Sequence, residues 1–293
     1  MFKSANNLIL NGFDRCGSSA IARTLAAHPQ IELIFHPFNS GSIRRKMYQV
    51  MTDEIASAED VRFFADLEQG RFWRKYVVSP WFEKHSTVLD FVPGRLHVLK
   101  TTLNHLTIRW IRERFDGIEF WGIWRDPRDI LASLVRNDFF GKWYPDALPQ
   151  LAETMRESTE FPPEFAHHMA RVENNEIRTL AFLIAVRSYF FFKHLEREKL
   201  INYENFKAEP NFELNKLIGY FGLAAFSFDG ASGKDHNVIG LGYEQGKSHR
   251  HLIGEEDSAF AEKIFTPLFA LMERRFGTGP WRSPGCPGKG PRT

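Results

Sequence analysis

Cysteine is nearly absent: the 293 residues hold two, Cys16 in a glycine-containing stretch and Cys286 in the tail. No disulfide framework follows from so few, and a reducing, cytoplasmic setting is expected. No apolar run is long enough to span a bilayer. Leu180 to Phe192 is short and is interrupted by Arg187, so it reads as a buried helix, and Met1 to Leu10 lacks a signal-peptide pattern. No integral membrane segment is therefore expected. The formal net charge of +2 is too small to mark a nucleic-acid surface, so any basic function must be local, as in a pocket. Metal-ligand spacing is missing too. His167 and His168 are adjacent and face different sides of a helix, and no metal is expected. There is no internal repeat.

What remains is an ordinary globular composition, 43% hydrophobic and 25% charged, with enough chain to bury a large core. The 28 phenylalanines cluster near Phe72 to Phe82 and around Tyr189 to Phe192. Core packing explains them best, with an apolar cleft as the alternative.

The most informative stretch runs from Leu8 to Pro29. Leu8-Ile9-Leu10 has the look of a short buried strand, Gly12 and Gly17 punctuate a tight loop, and Ser18 or Ser19 is placed to cap a helix carrying Ile21, Leu25 and Ala26. Strand, loop and helix start form an anion cradle, because unpaired N–H groups and the positive end of the helix dipole meet there. Gly12 and Gly17 match the spacing of G-x-x-x-x-G-K-S/T, with Ser19 in the hydroxyl slot. Ser18, however, stands where a nucleoside triphosphatase needs its lysine. The nearest cation is Arg15, inside the loop. Glycines that merely relieve a tight turn would explain the same pattern.

Three further strands follow. Ile31 to Phe35 ends at His36-Pro37, Leu96 to Lys100 ends at Thr101-Thr102 before a helix from about Asn104 to Phe115, and Ile118 to Trp124 ends at Arg125-Asp126-Pro127-Arg128-Asp129. Ligands of open parallel sheets sit outside the carboxyl ends of strands, which places His36, Lys100 and Arg125 for chemistry. A structural histidine and solvated cations are the plainer readings. Pro127 suits the first turn of a helix through Ile130, Leu131, Leu134 and Val135, with Ser133 eight residues after Arg125. Residues 42 to 85 look mostly helical. The stretch 137 to 163, rich in proline, looks the least regular, and a long helical region is expected from about Glu164 to Lys199.

Leu200 to Tyr203 reads as a last short strand, followed by an amphipathic helix from about Asn211 to Phe221 that Gly222 ends. Lys247-Ser248-His249-Arg250 lies in a glycine-rich polar stretch, suited either to wrapping an anion or to a plain surface connection. A final helix from Glu255 to Phe276 precedes a Pro/Gly-rich tail, 277–293, expected to be disordered.

Taken together, Arg15-Cys16-Gly17-Ser18-Ser19, Trp124-Arg125-Asp126-Pro127-Arg128-Asp129 with Ser133, Tyr203-Glu204-Asn205 and Lys247-Ser248-His249-Arg250 resemble, in order, the motifs of the sulfotransferases that use 3'-phosphoadenosine 5'-phosphosulfate (PAPS). The likeness is closer to the carbohydrate and bacterial type than to the cytosolic phenol type. It implies an α/β fold, three layers around a mainly parallel sheet as in P-loop proteins, with residues 1–276 as one domain and 137–195 as an acceptor lid.

The resemblance further implies that Arg15, Cys16, Gly17, Ser18 and Ser19 hold the 5'-phosphosulfate. Arg125 and Ser133 would hold the 3'-phosphate, and Tyr203, Lys247, Ser248 and Arg250 would complete the nucleotide site. PAPS would be the donor and 3',5'-adenosine bisphosphate the product, with no metal. Arg15 takes the family's cationic slot at the leaving oxygen. His36 stands where many members have glutamate and becomes the expected general base, with Lys100 as electrostatic helper. Asn205 departs from the family's Tyr-Glu-Asp, Thr102 from its histidine after Lys-Thr, and Ala20-Ile21 from its adenine-stacking tryptophan. The expected acceptor is a small molecule, carbohydrate or lipid bearing a hydroxyl or amine, and nucleic acid is not expected as a partner. A nucleotide-binding protein without catalysis and a P-loop phosphotransferase are the alternatives.

Overall fold

Asn7–Gly12, Leu96–Thr101 and Ile118–Trp124 are buried along their whole length, on both faces, as only strands covered from both sides can be. The computed structural model describes residues 7–38, 45–71, 85–88, 91–140, 147–169, 171–172, 175–229 and 249–277. Among them, five strands form one parallel sheet: β1 (Asn7–Gly12), β2 (Ile31–Phe35), β3 (Leu96–Thr101), β4 (Ile118–Trp124) and β5 (Leu200–Asn202), in spatial order β2-β3-β1-β4-β5. The chain is α/β, as expected.

This order decides where a ligand can sit. After β1 the chain builds β2 and β3 on one side, then crosses to place β4 on the other. The carboxyl ends of β1 and β4 therefore open a crevice at the point where the winding reverses. Register makes the neighbours explicit. Gly12 pairs with Ile123, Trp124 with Asn202, and Phe35 with Lys100.

The described helices are α1 (Ser18–Leu25), α2 (Ala58–Glu68), α3 (Ile108–Arg114), α4 (Pro127–Arg136), α5 (Ala147–Glu157), α6 (Pro163–Met169), α7 (Glu176–His194), α8 (Tyr203–Ala208), α9 (Pro210–Tyr220) and α10 (Glu255–Phe276). Helix α7, which packs along α10 and α4, is buried almost all round. A helix so placed is apolar on every face, which is why its sequence shows little amphipathic periodicity.

Several boundaries differ from the sequence expectation. Neither Ser18 nor Ser19 caps α1; Gly17 does, in a left-handed conformation and without a side-chain bond. The helix expected from Asn104 begins only at Ile108. Thr101, Asn104 and Thr107 bond to one another through their side chains (Thr101 Oγ1 to Asn104 Oδ1, 2.9 Å; Asn104 Nδ2 to Thr107 Oγ1, 3.2 Å), offering a turn instead of helix. Among the described residues, the region Glu164 to Lys199 holds two α-helices, α6 and α7, and a 3-10 turn at Arg197–Lys199, and 137 to 163 contains α5, a regular helix. Between 45 and 71 the described helix of more than one turn is α2, held by a reciprocal cap between Ser57 and Asp60. The aromatic cluster at 72–82, Lys247, Ser248 and residues from 278 onward lie outside the described residues.

Candidate nucleotide site at the sheet's carboxyl rim

Gly12 ends β1, and a Cβ there would stand 2.4 Å from Cys16 Sγ and 3.1 Å from Ile123 Cβ. The loop can fold back onto β4 only because that carbon is missing. Within the loop, the Cys16 N–H donates to the Phe13 carbonyl at 3.1 Å. Cys16 is fully buried and burial pushes its thiol up to about 11, so it stays neutral. The Cys16 N–H that was expected at the anion is engaged within the turn, while Gly17, Ser18 and Ser19 begin α1.

Arg15 adopts φ 67°, the left-handed region that costs a side-chain-bearing residue free energy. Arg15 Nε donates to Ser133 Oγ on α4 at 3.1 Å, and the guanidinium lies 5.7 Å from the Phe139 ring. Arg125, directly after β4, donates from Nη1 to the Arg15 carbonyl at 2.9 Å. The two elements singled out in the sequence are thus tied crosswise, Arg15 to Ser133 and Arg125 to Arg15. Phe139 was not foreseen, and nothing in the local sequence marks it.

Tyr203, the first residue after β5, supplies the floor. Its ring would meet a Cβ on Gly17 at 2.1 Å, and the Arg125 guanidinium lies 5.0 Å from the ring centroid. Among the described residues the Arg125 Nε has no hydrogen-bond partner, and the Glu204 carboxylate is 4.0 Å from it.

Arg250, expected at the nucleotide, is tied to the start of α4. It donates to Asp129 at 2.7 Å and Asp126 at 3.2 Å, while Arg136 meets His249 Nε2 at 2.5 Å. The end of the basic stretch is therefore docked on the first turn of α4 by carboxylates.

On the other side of β1, His36 and Lys100 end adjacent strands. The His36 N–H donates to the Lys100 carbonyl at 2.7 Å, and Lys100 Nζ lies 2.5 Å from His36 Nε2. His36 also has positive φ, 52°. Burial first, then the charge of Lys100 and His85, holds its imidazole well below the ordinary range. It is therefore neutral, and its Nε2 lone pair accepts from lysine. Burial pulls Lys100 down from 10.5 to about 8, while Asp14 and Cys16 oppose the shift. Of the two, Lys100 titrates nearer neutrality.

No group of metal-ligating side chains occurs among the described residues, and no described helix is long and apolar enough to cross a membrane.

Fold and rim together define a parallel α/β protein with two cationic, hydroxyl-bearing elements converging at the β1/β4 crevice. No family model matches the chain, and no curated protein matches it. Among solved structures it is similar to a sulfotransferase domain from the curacin biosynthetic pathway (13% identity, 92% of this chain and 96% of that one, TM-score 0.45). It is also similar to a sulfotransferase from Alicyclobacillus acidocaldarius (16% identity, 91% and 95%, TM-score 0.45). A third is the sulfotransferase domain of the Synechococcus PCC 7002 olefin synthase (12% identity, 92% and 93%, TM-score 0.44).

Proposed function

We propose that the protein is a sulfotransferase that takes its sulfuryl group from PAPS and passes it to a hydroxyl-bearing small molecule, carbohydrate or lipid. One observation carries this reading: the crosswise bonds Arg125 Nη1 to Arg15 O and Arg15 Nε to Ser133 Oγ, which put two anion-holding elements in one crevice. Arg125 and Ser133 hold the 3'-phosphate of the nucleotide. Gly17, Ser18 and Ser19 hold its 5' end through backbone N–H groups, and Arg15 bridges the two. No lysine neutralises a triphosphate here, because Ser18 occupies that position.

Transfer in line requires positioning and cations that meet charge on the leaving oxygen, the part given to Arg15. The acceptor's proton goes to Lys100 and His36 acting as one unit. Nε2 of the histidine is engaged, so the lysine amine, free above about pH 8, takes the proton and shares it across the 2.5 Å contact. The new bond joins the acceptor oxygen to sulfur as the sulfur–phosphate oxygen bond breaks.

Calorimetry with 3',5'-adenosine bisphosphate and with 5'-AMP tests the assignment. The 3'-phosphate is expected to add roughly 10- to 100-fold in affinity, the scale of charge-assisted hydrogen bonds. Equal affinities for the two nucleotides would reject it. The closed Lys100–His36 contact favours a second reading, nucleotide binding without transfer. PAPS turnover that disappears in Lys100→Met, with nucleotide binding intact, excludes that alternative.

A further inference from the structure

Along α4, Asp129, Ser133 and Arg136 stand at positions i, i+4 and i+7, which is one face of the helix. Half-buried His249 and the turn Arg250–Leu252 pack on that face. Arg250 ties the segment to Asp126 at 3.2 Å and Asp129 at 2.7 Å, and His249 Nε2 meets Arg136 Nη1 at 2.5 Å. Ser133 lies between these two attachments along the helix, with Arg15 Nε 3.1 Å from its hydroxyl. Helical side chains lean toward the N-terminus, so Arg136, one turn further on, leans back toward Ser133. Arg136 is exposed, which leaves this part of the face open to solvent.

The arginine contact fixes the state of the histidine. A guanidinium has donors only, so His249 Nε2 accepts and the imidazole is neutral in this structure. A proton on Nε2 would break that bond and set two cations in contact. Among the described residues, the other charges about this segment are engaged: Asp126 and Asp129 bond Arg250, and Glu262 of α10 bonds Arg128. The His251 ring lies 6.2 Å from that of His249. A phosphate dianion placed here reverses the balance, because it accepts from both side chains and its charge favours the imidazolium.

We propose that Arg136 and His249 form a proton-linked grip on a phosphate monoester at Ser133, His249 taking up a proton from solvent as the anion settles between it and Arg136. Nε2–H then donates to a phosphate oxygen where the lone pair had accepted from arginine. The inference rests on the reading that Ser133 holds the 3'-phosphate of the nucleotide. Its sign follows from linkage: the complex carries more protons than the free protein, so affinity rises as pH falls into the ordinary histidine range.

Calorimetry of the full chain with 3',5'-adenosine bisphosphate, run at pH 7 in buffers of different ionisation enthalpy, counts the protons taken up. The same titration with 5'-AMP is the reference without a 3'-phosphate. An uptake of about half a proton beyond the 5'-AMP value is expected, and the ratio of bisphosphate to 5'-AMP affinity should be roughly tenfold higher at pH 6.5 than at pH 8.5. Taking the ratio cancels the titration of Lys100, which acts on both nucleotides alike. His249→Gln keeps an acceptor for Arg136 but cannot titrate. Its extra uptake should vanish, with bisphosphate affinity at pH 8.5 within about twofold of the wild type. His251→Gln should match the wild type, and Arg136→Gln should weaken the bisphosphate roughly tenfold at pH 7 while 5'-AMP affinity is kept.

No extra uptake in the wild type overturns the proposal, as does the same uptake in His249→Gln or an uptake lost in His251→Gln instead. An equal loss of bisphosphate affinity at pH 6.5 and pH 8.5 in His249→Gln also counts against it, since a residue that merely braces the segment would behave that way. Absence of bisphosphate binding in every protein would sink the sulfotransferase reading and this inference together. Binding without His249-dependent uptake sinks this inference alone.

Discussion

Replacing Gly17 by alanine probes the floor of the site. Two penalties combine. Gly17 has φ 92°, a left-handed conformation that costs an L-residue roughly 1–2 kcal/mol. The added Cβ would also stand 2.1 Å from the Tyr203 ring, inside contact distance. That ring cannot retreat cheaply, because it is 5% exposed and stacks on Phe206 at 6.3 Å. Overpacking of this kind costs about 1–3 kcal/mol. The sum, about 2–5 kcal/mol, predicts a melting temperature lower by roughly 4–20 °C, at about 2–4 °C per kcal/mol for a large domain.

The two penalties separate in a double-mutant cycle. In a Tyr203→Ala background the clash vanishes and Gly17→Ala should cost only the dihedral part, about 1–2 kcal/mol. Chemical denaturation of the four proteins measures this, and calorimetry with adenosine bisphosphate reports the site. An equal cost of Gly17→Ala in both backgrounds would refute the idea that Tyr203 supports the loop.

Arg125→Ala and Ser133→Ala should each weaken adenosine bisphosphate binding about 10- to 100-fold while leaving 5'-AMP affinity nearly unchanged, as calorimetry would show. Arg125→Lys should not restore binding, since a point charge cannot both reach the Arg15 carbonyl and lie flat on Tyr203. Lys100 predicts pH dependence of two kinds. The transfer rate should rise with pH through about 8, and a rate that instead falls there would make Lys100 an electrophilic helper. Stability should follow the same group. Between about 8 and 10.5 the unfolded chain binds the lysine proton and the folded chain does not, so this contribution to stability rises with pH across that window. Lys100→Met should remove the rise in urea melts taken from pH 7 to pH 10.5. Finally, in a Cys286→Ser chain, Cys16 should resist thiol reagents at pH 8 until denaturant is added, because its thiol is buried and neutral.

The sequence by itself determined the strands and most of their punctuation. Ile31–Phe35 and Ile118–Trp124 are where continuous apolar runs place them, and α10 runs over Glu255–Phe276 as its periodicity requires. Such signals are local, arising from side-chain spacing and from proline and glycine along one stretch of chain. The motif residues Arg15, Arg125 and Ser133 were singled out by their order and spacing, which resemble the family's motifs.

Tertiary structure decided what each of them touches. Arg15 reaches Ser133 because β1 and β4 are neighbours, a consequence of strand order that no local pattern encodes. Lys100 engages His36 because Phe35 and Lys100 share register, and that contact moves the candidate base from the imidazole toward the amine. Arg187 looked in the sequence only like a break in an apolar helix, and its contacts with the Thr102 carbonyl and His105 became visible once α7 was seen packed there. Spacing along the chain sets which residues can hold charge. Burial and adjacency, which depend on pairing distant strands, set which charges stay unpaid by neighbours and so remain available to a ligand.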